Sequence, residues 1–227
     1  MFRGFALLAF LSLAAAPVLA QNGPPVAAGP PQPPAQPAAP APRPATVRVG
    51  LQTSEGPIVL ELEKERAPVT TANFLRYVDQ KRLDGASFYR AAKVAPGFGL
   101  IQGGVRGDPR RVLPPIAHEP TTRTGLSHGD GTISMARNAP GSATGDFFIT
   151  IGDMPSMNAD PSQPGDNLGF AAFGHVVEGM DVVHRILDAP TSPAEGDGAM
   201  KGQMLAAPVR IITARRIQQG ATETPRP

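Results

Sequence analysis

Between residues 46 and 219 the hydrophobic period of the chain changes several times, and each change predicts an element. From Val47 to Thr53 the apolar positions Val47, Val49 and Leu51 alternate with others, the spacing of a half-buried strand. Glu55-Gly56 marks a turn, and Pro57 to Glu63 resumes the alternation with Ile58, Leu60 and Leu62, so the two runs predict a hairpin. Over Pro68 to Gln80 the period lengthens: Phe74, Leu75 and Val78 share one face of a helix whose first turn accommodates Pro68. Short strand-like runs follow at Ser87–Ala91, Leu100–Gly103, Gly131–Ala136, Phe147–Ile151 and Phe173–Val177. Gly179–Leu187 predicts a second helix with Met180, Val183 and Leu187 on one side, and Val209–Ile217 a last strand. Many short strands, few helices and abundant Gly and Pro turns predict a mainly β fold, a barrel or a sandwich, without an internal repeat.

The flanks follow other rules. Arg3 precedes an apolar run from Phe5 to Ala16, and small residues at Val18 and Ala20 close the segment. That order predicts a signal peptide over 1–20, cut after Ala20. The run is short of the roughly 20 apolar residues that span a bilayer, and an uncleaved membrane anchor is the alternative. Residues 21–45 hold ten of the 27 prolines and a single charge, Arg43. Such a segment cannot bury a core and predicts an extended, disordered linker. Residues 220–227 predict a polar, disordered tail, leaving 46–219 as the one folded domain.

Charge and chemistry narrow the function. The chain has 21 Lys and Arg against 19 Asp and Glu, and removing Arg3 brings this to 20 against 19, so nothing favours nucleic acid as a partner. Cysteine is absent, so stability rests on a hydrophobic core and not on disulfides. His118, His128, His175 and His184 lack metal-ligand spacing, and no G-x-S-x-G, H-E-x-x-H or P-loop motif occurs. These patterns argue against chemistry that needs a nucleophile, a metal or a cofactor; no cofactor is expected.

Three stretches together resemble the cyclophilin family. The first is Phe88-Tyr89-Arg90 with Pro96-Gly97-Phe98-Gly99-Leu100-Ile101-Gln102-Gly103-Gly104. The second is Gly131-Thr132-Ile133-Ser134-Met135-Ala136-Arg137 followed by Gly145-Asp146-Phe147-Phe148-Ile149, and the third runs from Phe170 to Met180. The resemblance covers nearly all of 46–217, and the chain is similar to the bacterial exported branch. It implies a closed eight-stranded antiparallel β-barrel capped by two α-helices, with an active groove on the outer face. It also implies peptidyl-prolyl cis/trans isomerase activity on proline-containing polypeptide clients; with cleavage after Ala20, a monomer in the periplasm or outside the cell, without stable membrane insertion, is expected.

By resemblance, Arg90, Gln102 and Phe148 are the catalytic residues. Phe98, Leu100, Met135, Ala136, Arg137, Asp146, Met157 and Phe170 are the substrate-binding ones. Met135 and Phe148 would line the proline cup, Gln102 would position the arginine, and Ala136-Arg137 would offer a strand edge. This chain departs from the family pattern at several positions. The stretch from Phe98 to Gln102 is one residue longer, which leaves open whether Phe98 or Leu100 lines the pocket. Arg137, Asp146 and Phe170 replace the common Asn, Gln and His, and an Arg137–Asp146 pair across the groove is expected. The chain has no Trp, and the usual position falls at Ser156. The alternative reading is a non-catalytic proline-peptide-binding chaperone or an envelope scaffold protein.

Overall fold

The computed structural model describes residues 44–218. The expected signal peptide, the linker up to residue 43 and the tail 220–227 lie outside the described residues. The described residues form nine strands and three α-helical segments: β1 Val47–Thr53, β2 Gly56–Leu62, α1 Pro68–Asp79, β3 Ser87–Ala95, β4 Phe98–Gly104 and the single turn α2 Thr121–Thr124. There follow β5 Thr132–Met135, β6 Phe147–Ile151, β7 Ala171–Glu178, α3 Met180–Asp188, β8 Thr191–Ser192 and β9 Met204–Ile217.

The strands pair antiparallel in the order β1-β2-β7-β5-β6-β4-β3-β9, and β9 returns to β1, which closes an eight-stranded barrel. The two-residue β8 extends β9 beyond the ring. Closure leaves no edge among the eight. The expected barrel capped by two helices is what the chain forms, and β1 and β6 have the bounds that alternation predicts.

Inward residues follow period 2. Phe147, Ile149 and Ile151 of β6 point into the core with Ile133, Ile101, Leu60 and Val49, all nearly inaccessible. Phe74 of α1 wedges edge-on against Phe147 (centroids 5.4 Å apart, 86°) and tilts on Phe173, while Phe88 meets Phe147 from another side at 5.6 Å and 82°. Edge-to-face aromatic pairs contribute about 0.5–1.5 kcal/mol beyond area burial. The second helix, α3, buries Val182, Val183, Ile186 and Leu187 near the start of β4, the end of the barrel opposite the start of β6 where α1 sits. Gly179 enters α3 at φ +89° with Pro57 O 2.3 Å from where a Cβ would stand, so only glycine fits the turn.

One local irregularity sets the geometry of the outer face. Phe88 pairs with Gly103 and Arg90 with Gln102, so Tyr89 is an extra residue on β3. Without that bulge, Arg90 would follow Phe88 into the core; with it, Tyr89 and Arg90 both point outward and Ala91 returns inward. Gly103 makes the close approach possible, because a Cβ there would lie 2.8 Å from the Phe88 ring.

Candidate active site

An outward cavity of about 530 Å³ lies over β3, β4 and β6, beside the segment that follows β5. Arg90, Leu100, Gln102, Ala136, Arg137, Asp146, Phe148, Met157 and Phe170 all line it. Leu100 and Phe148 stand on the outer faces of paired strands and, with Ala92, form a small buried apolar cluster completed by Ala136, Met157 and Phe170. Phe170 meets Phe148 edge-on at 5.3 Å and 89°. Behind Phe148 the His128 ring stacks at 6.0 Å and 15°.

Two expected cup residues lie elsewhere. Met135 is 1% exposed and belongs to the barrel core, because it stands two positions from inward Ile133 on β5 and shares its face. Phe98 shares the outer face of β4 with Leu100 and Gln102 but stands one repeat farther from Arg90, about 6.6 Å along a strand. Its ring covers Gly152, where an added Cβ would approach it to 2.5 Å. Leu100 therefore takes the pocket position that the longer stretch left open.

Arg90 is held firmly. Its Nη1 donates to Gln102 Oε1 at 2.8 Å, while Nε and Nη2 both donate to Gln203 Oε1 at 2.9 and 2.6 Å. Gln102 is oriented in turn, since its Nε2 donates to the Tyr89 hydroxyl at 2.9 Å. Burial pushes the Arg90 guanidinium below its ordinary value, although an arginine stays charged at any physiological pH. Burial, reinforced by the Asp146 carboxylate, pushes the Tyr89 phenol well up, so it remains neutral.

The expected Arg137–Asp146 pair does not form. Arg137 turns to the other wall, donating from Nη1 to Asp166 at 2.5 Å and from Nε to Gly169 O at 2.9 Å, with its guanidinium 5.1 Å from the Phe170 ring. Its side chain is only 4% exposed, and it clamps the loop between Met157 and Ala171 onto the barrel. Asp146 instead accepts from the Arg106 main-chain N–H at 2.8 Å, and burial holds its carboxyl above the usual range. Asp146 Oδ1 is turned back toward Gly104 and Arg106, so this carboxylate is engaged by the main chain and not by Arg137.

Tyr89, Arg106, Asp197 and Met200 also line the cavity, and Gln203 touches Arg90 from outside the resembling stretches. The segment 193–203 that supplies three of these has no periodicity to advertise it. Tyr89 had a signal available: it lies inside the Phe-Tyr-Arg run, and an outward Arg90 beside an inward Phe88 requires a bulge there.

Residues 48–215 match the family described as cyclophilin type peptidyl-prolyl cis-trans isomerase/CLD. The chain belongs to this family. Among curated relatives it is 35% identical over 175 residues to a peptidyl-prolyl cis-trans isomerase of Acinetobacter baylyi, covering 75% of this chain and 86% of that one. It is 40% identical over 151 residues to a peptidyl-prolyl cis-trans isomerase of Streptomyces antibioticus, covering 65% of this chain and 87% of that one. The crystal structure of a cyclophilin type peptidyl-prolyl cis-trans isomerase from Cryptosporidium parvum superposes with TM-score 0.61 at 20% identity, over 77% of this chain and 99% of that one. The protein is thus a cyclophilin with peptidyl-prolyl cis-trans isomerase activity.

Proposed function

We propose that this cyclophilin accelerates X-Pro isomerisation in exported polypeptides, with Arg90 hydrogen bonding to the prolyl nitrogen while the proline ring sits in the apolar cup. The observation that carries this reading is the fixed Arg90 guanidinium beside the Leu100–Phe148 cluster. Rotation about an X-Pro bond faces a barrier of about 18–20 kcal/mol and takes tens to hundreds of seconds unaided. A turnover of about 10³ s⁻¹ requires a reduction of roughly 7 kcal/mol. No bond breaks. Rotation removes C–N resonance, and the nitrogen gains a lone pair that a donor can meet. One charged hydrogen bond supplies about 1.5–3 kcal/mol, so Arg90 accounts for part of the reduction. The rest is assigned to withdrawing the amide from water against Phe148, Leu100, Met157 and Phe170 and to holding a twisted conformer.

The main-chain N–H of Ala136 is already used by Asp146 O at 2.9 Å, which leaves Arg137 as the edge residue for pairing with a peptide. Location rests on the sequence of residues 1–20, with cleavage after Ala20 and a mature chain beginning at Gln21. Intact-mass measurement of the protein recovered from the periplasm or medium tests this, and Met1 retained in a membrane fraction contradicts it. Two-dimensional exchange NMR on a short X-Pro peptide tests the activity. Line broadening that requires Arg90 supports catalysis; binding without exchange would make the chain a proline-peptide binder.

A further inference from the structure

Gln203 stands 113 positions from Arg90 in sequence, yet its Oε1 accepts from both Nε and Nη2 of that residue. Its main chain is fixed independently of this contact. Gln203 N donates to Met200 O at 3.0 Å, and Gln203 O accepts from the N–H of Ala91, the neighbour of Arg90, at 2.9 Å. The register of β3 on β9, with Arg90 opposite Met204, therefore delivers the side chain to the guanidinium.

A guanidinium carries five N–H groups, one on Nε and two on each Nη. Gln203 occupies the Nε fork and Gln102 occupies one N–H of Nη1. Among the described residues, one N–H on each Nη is left for a substrate. The two glutamines thus fix both the plane of the guanidinium and which edge it turns to the groove.

We infer that Gln203 is a positioning residue for the isomerase reaction, acting only through Arg90; this rests on the reading of Arg90 as the donor to the prolyl nitrogen. An untethered arginine samples many rotamers, so removing the Oε1 acceptor lowers the fraction of complexes with a donor in place. Binding of the peptide, which depends on the apolar cup, is expected to hardly change.

The test is a double-mutant cycle with kcat/KM, peptide Kd by NMR titration, and melting temperature measured for each protein. Gln203→Leu should lower kcat/KM about tenfold with Kd within about twofold, and Gln203→Glu, which keeps an acceptor, should return to within about threefold of wild type. In an Arg90→Ala background, Gln203→Leu should change the residual rate by less than about twofold. An equal loss in both backgrounds overturns the inference, as does full activity of Gln203→Leu where Arg90→Ala is impaired. Full activity of Arg90→Ala itself overturns the parent reading, and this inference with it. If Gln203→Leu does not fold, Gln203→Ala carries the same comparison, and failure of both to fold assigns Gln203 a structural role instead.

Discussion

Phe148 is backed by a buried polar chain. The His128 ring stacks on it, with Nδ1 2.7 Å from Asn158 Oδ1 and Nε2 3.0 Å from Ser134 Oγ. Asn158 Oδ1 also accepts from the His128 main-chain N–H, so Nδ1 donates and Nε2 of the neutral ring accepts from the Ser134 hydroxyl. Burial lowers the His128 pKa from its ordinary 6.5, against the opposing bond to Asn158. The folded state therefore binds fewer protons than the unfolded state below about pH 6.5, and stability falls as pH drops through that window. Urea unfolding at pH 8 and pH 5 should show a larger loss in wild type than in His128→Gln. Parallel losses would place the acid sensitivity elsewhere. His128 had no mark in the sequence beyond being a histidine; only packing makes it a support for Phe148. Arg90, Gln102 and Phe148, by contrast, were legible because each sits inside a dense motif.

At the scale of elements, alternation was a good guide wherever a strand is regular and misled where a resemblance was read without it. Phe147 and Phe148 stand on opposite faces of β6, as adjacent strand residues must, whereas the resemblance places Met135 in the groove although Ile133 claims its face for the core. The bulge at Tyr89 is the reverse case: alternation alone marks the strand, and the extra residue follows only once Phe88 is placed inward and Arg90 outward. Met135→Ala should cost about 2–5 kcal/mol of stability and leave kcat/KM of the folded protein within a few-fold. Phe148→Ala should lower kcat/KM at least about tenfold. Chemical denaturation and exchange NMR on the same samples separate the two effects, and the opposite pattern would return Met135 to the groove. Ser156 lies exposed in the 3-10 turn Pro155–Met157, where the resemblance places a tryptophan whose indole N–H donates to the drug cyclosporin. Losing one buried hydrogen bond and part of an aromatic contact costs roughly 2–4 kcal/mol, a loss of about 30-fold to 1000-fold in affinity. Cyclosporin should therefore inhibit only weakly, and nanomolar inhibition in a titration would contradict this placement.

Over the whole molecule, the barrel was legible as a family architecture before it was legible as physics. Short alternating runs alone leave barrel and sandwich open, and closure depends on the long-range pairing of β1 with β9, which no local pattern encodes. The same distance hides the second holder of Arg90: Gln203 arrives through the end of the barrel wall, with the chain between it and β3 spanning most of the domain. The site is thus a product of long-range pairing, since β3 lies between β4 and β9 and takes Gln102 from the one and Gln203, the residue just before the other, at its second side. The measurement that bears most directly on this account is kcat/KM of Arg90→Ala, taken on protein whose melting curve shows it folded. A loss of at least about tenfold, not repaired by Arg90→Lys because a point charge lacks the planar fork, is the predicted result. Near-wild-type activity of the folded Arg90→Ala protein would contradict it.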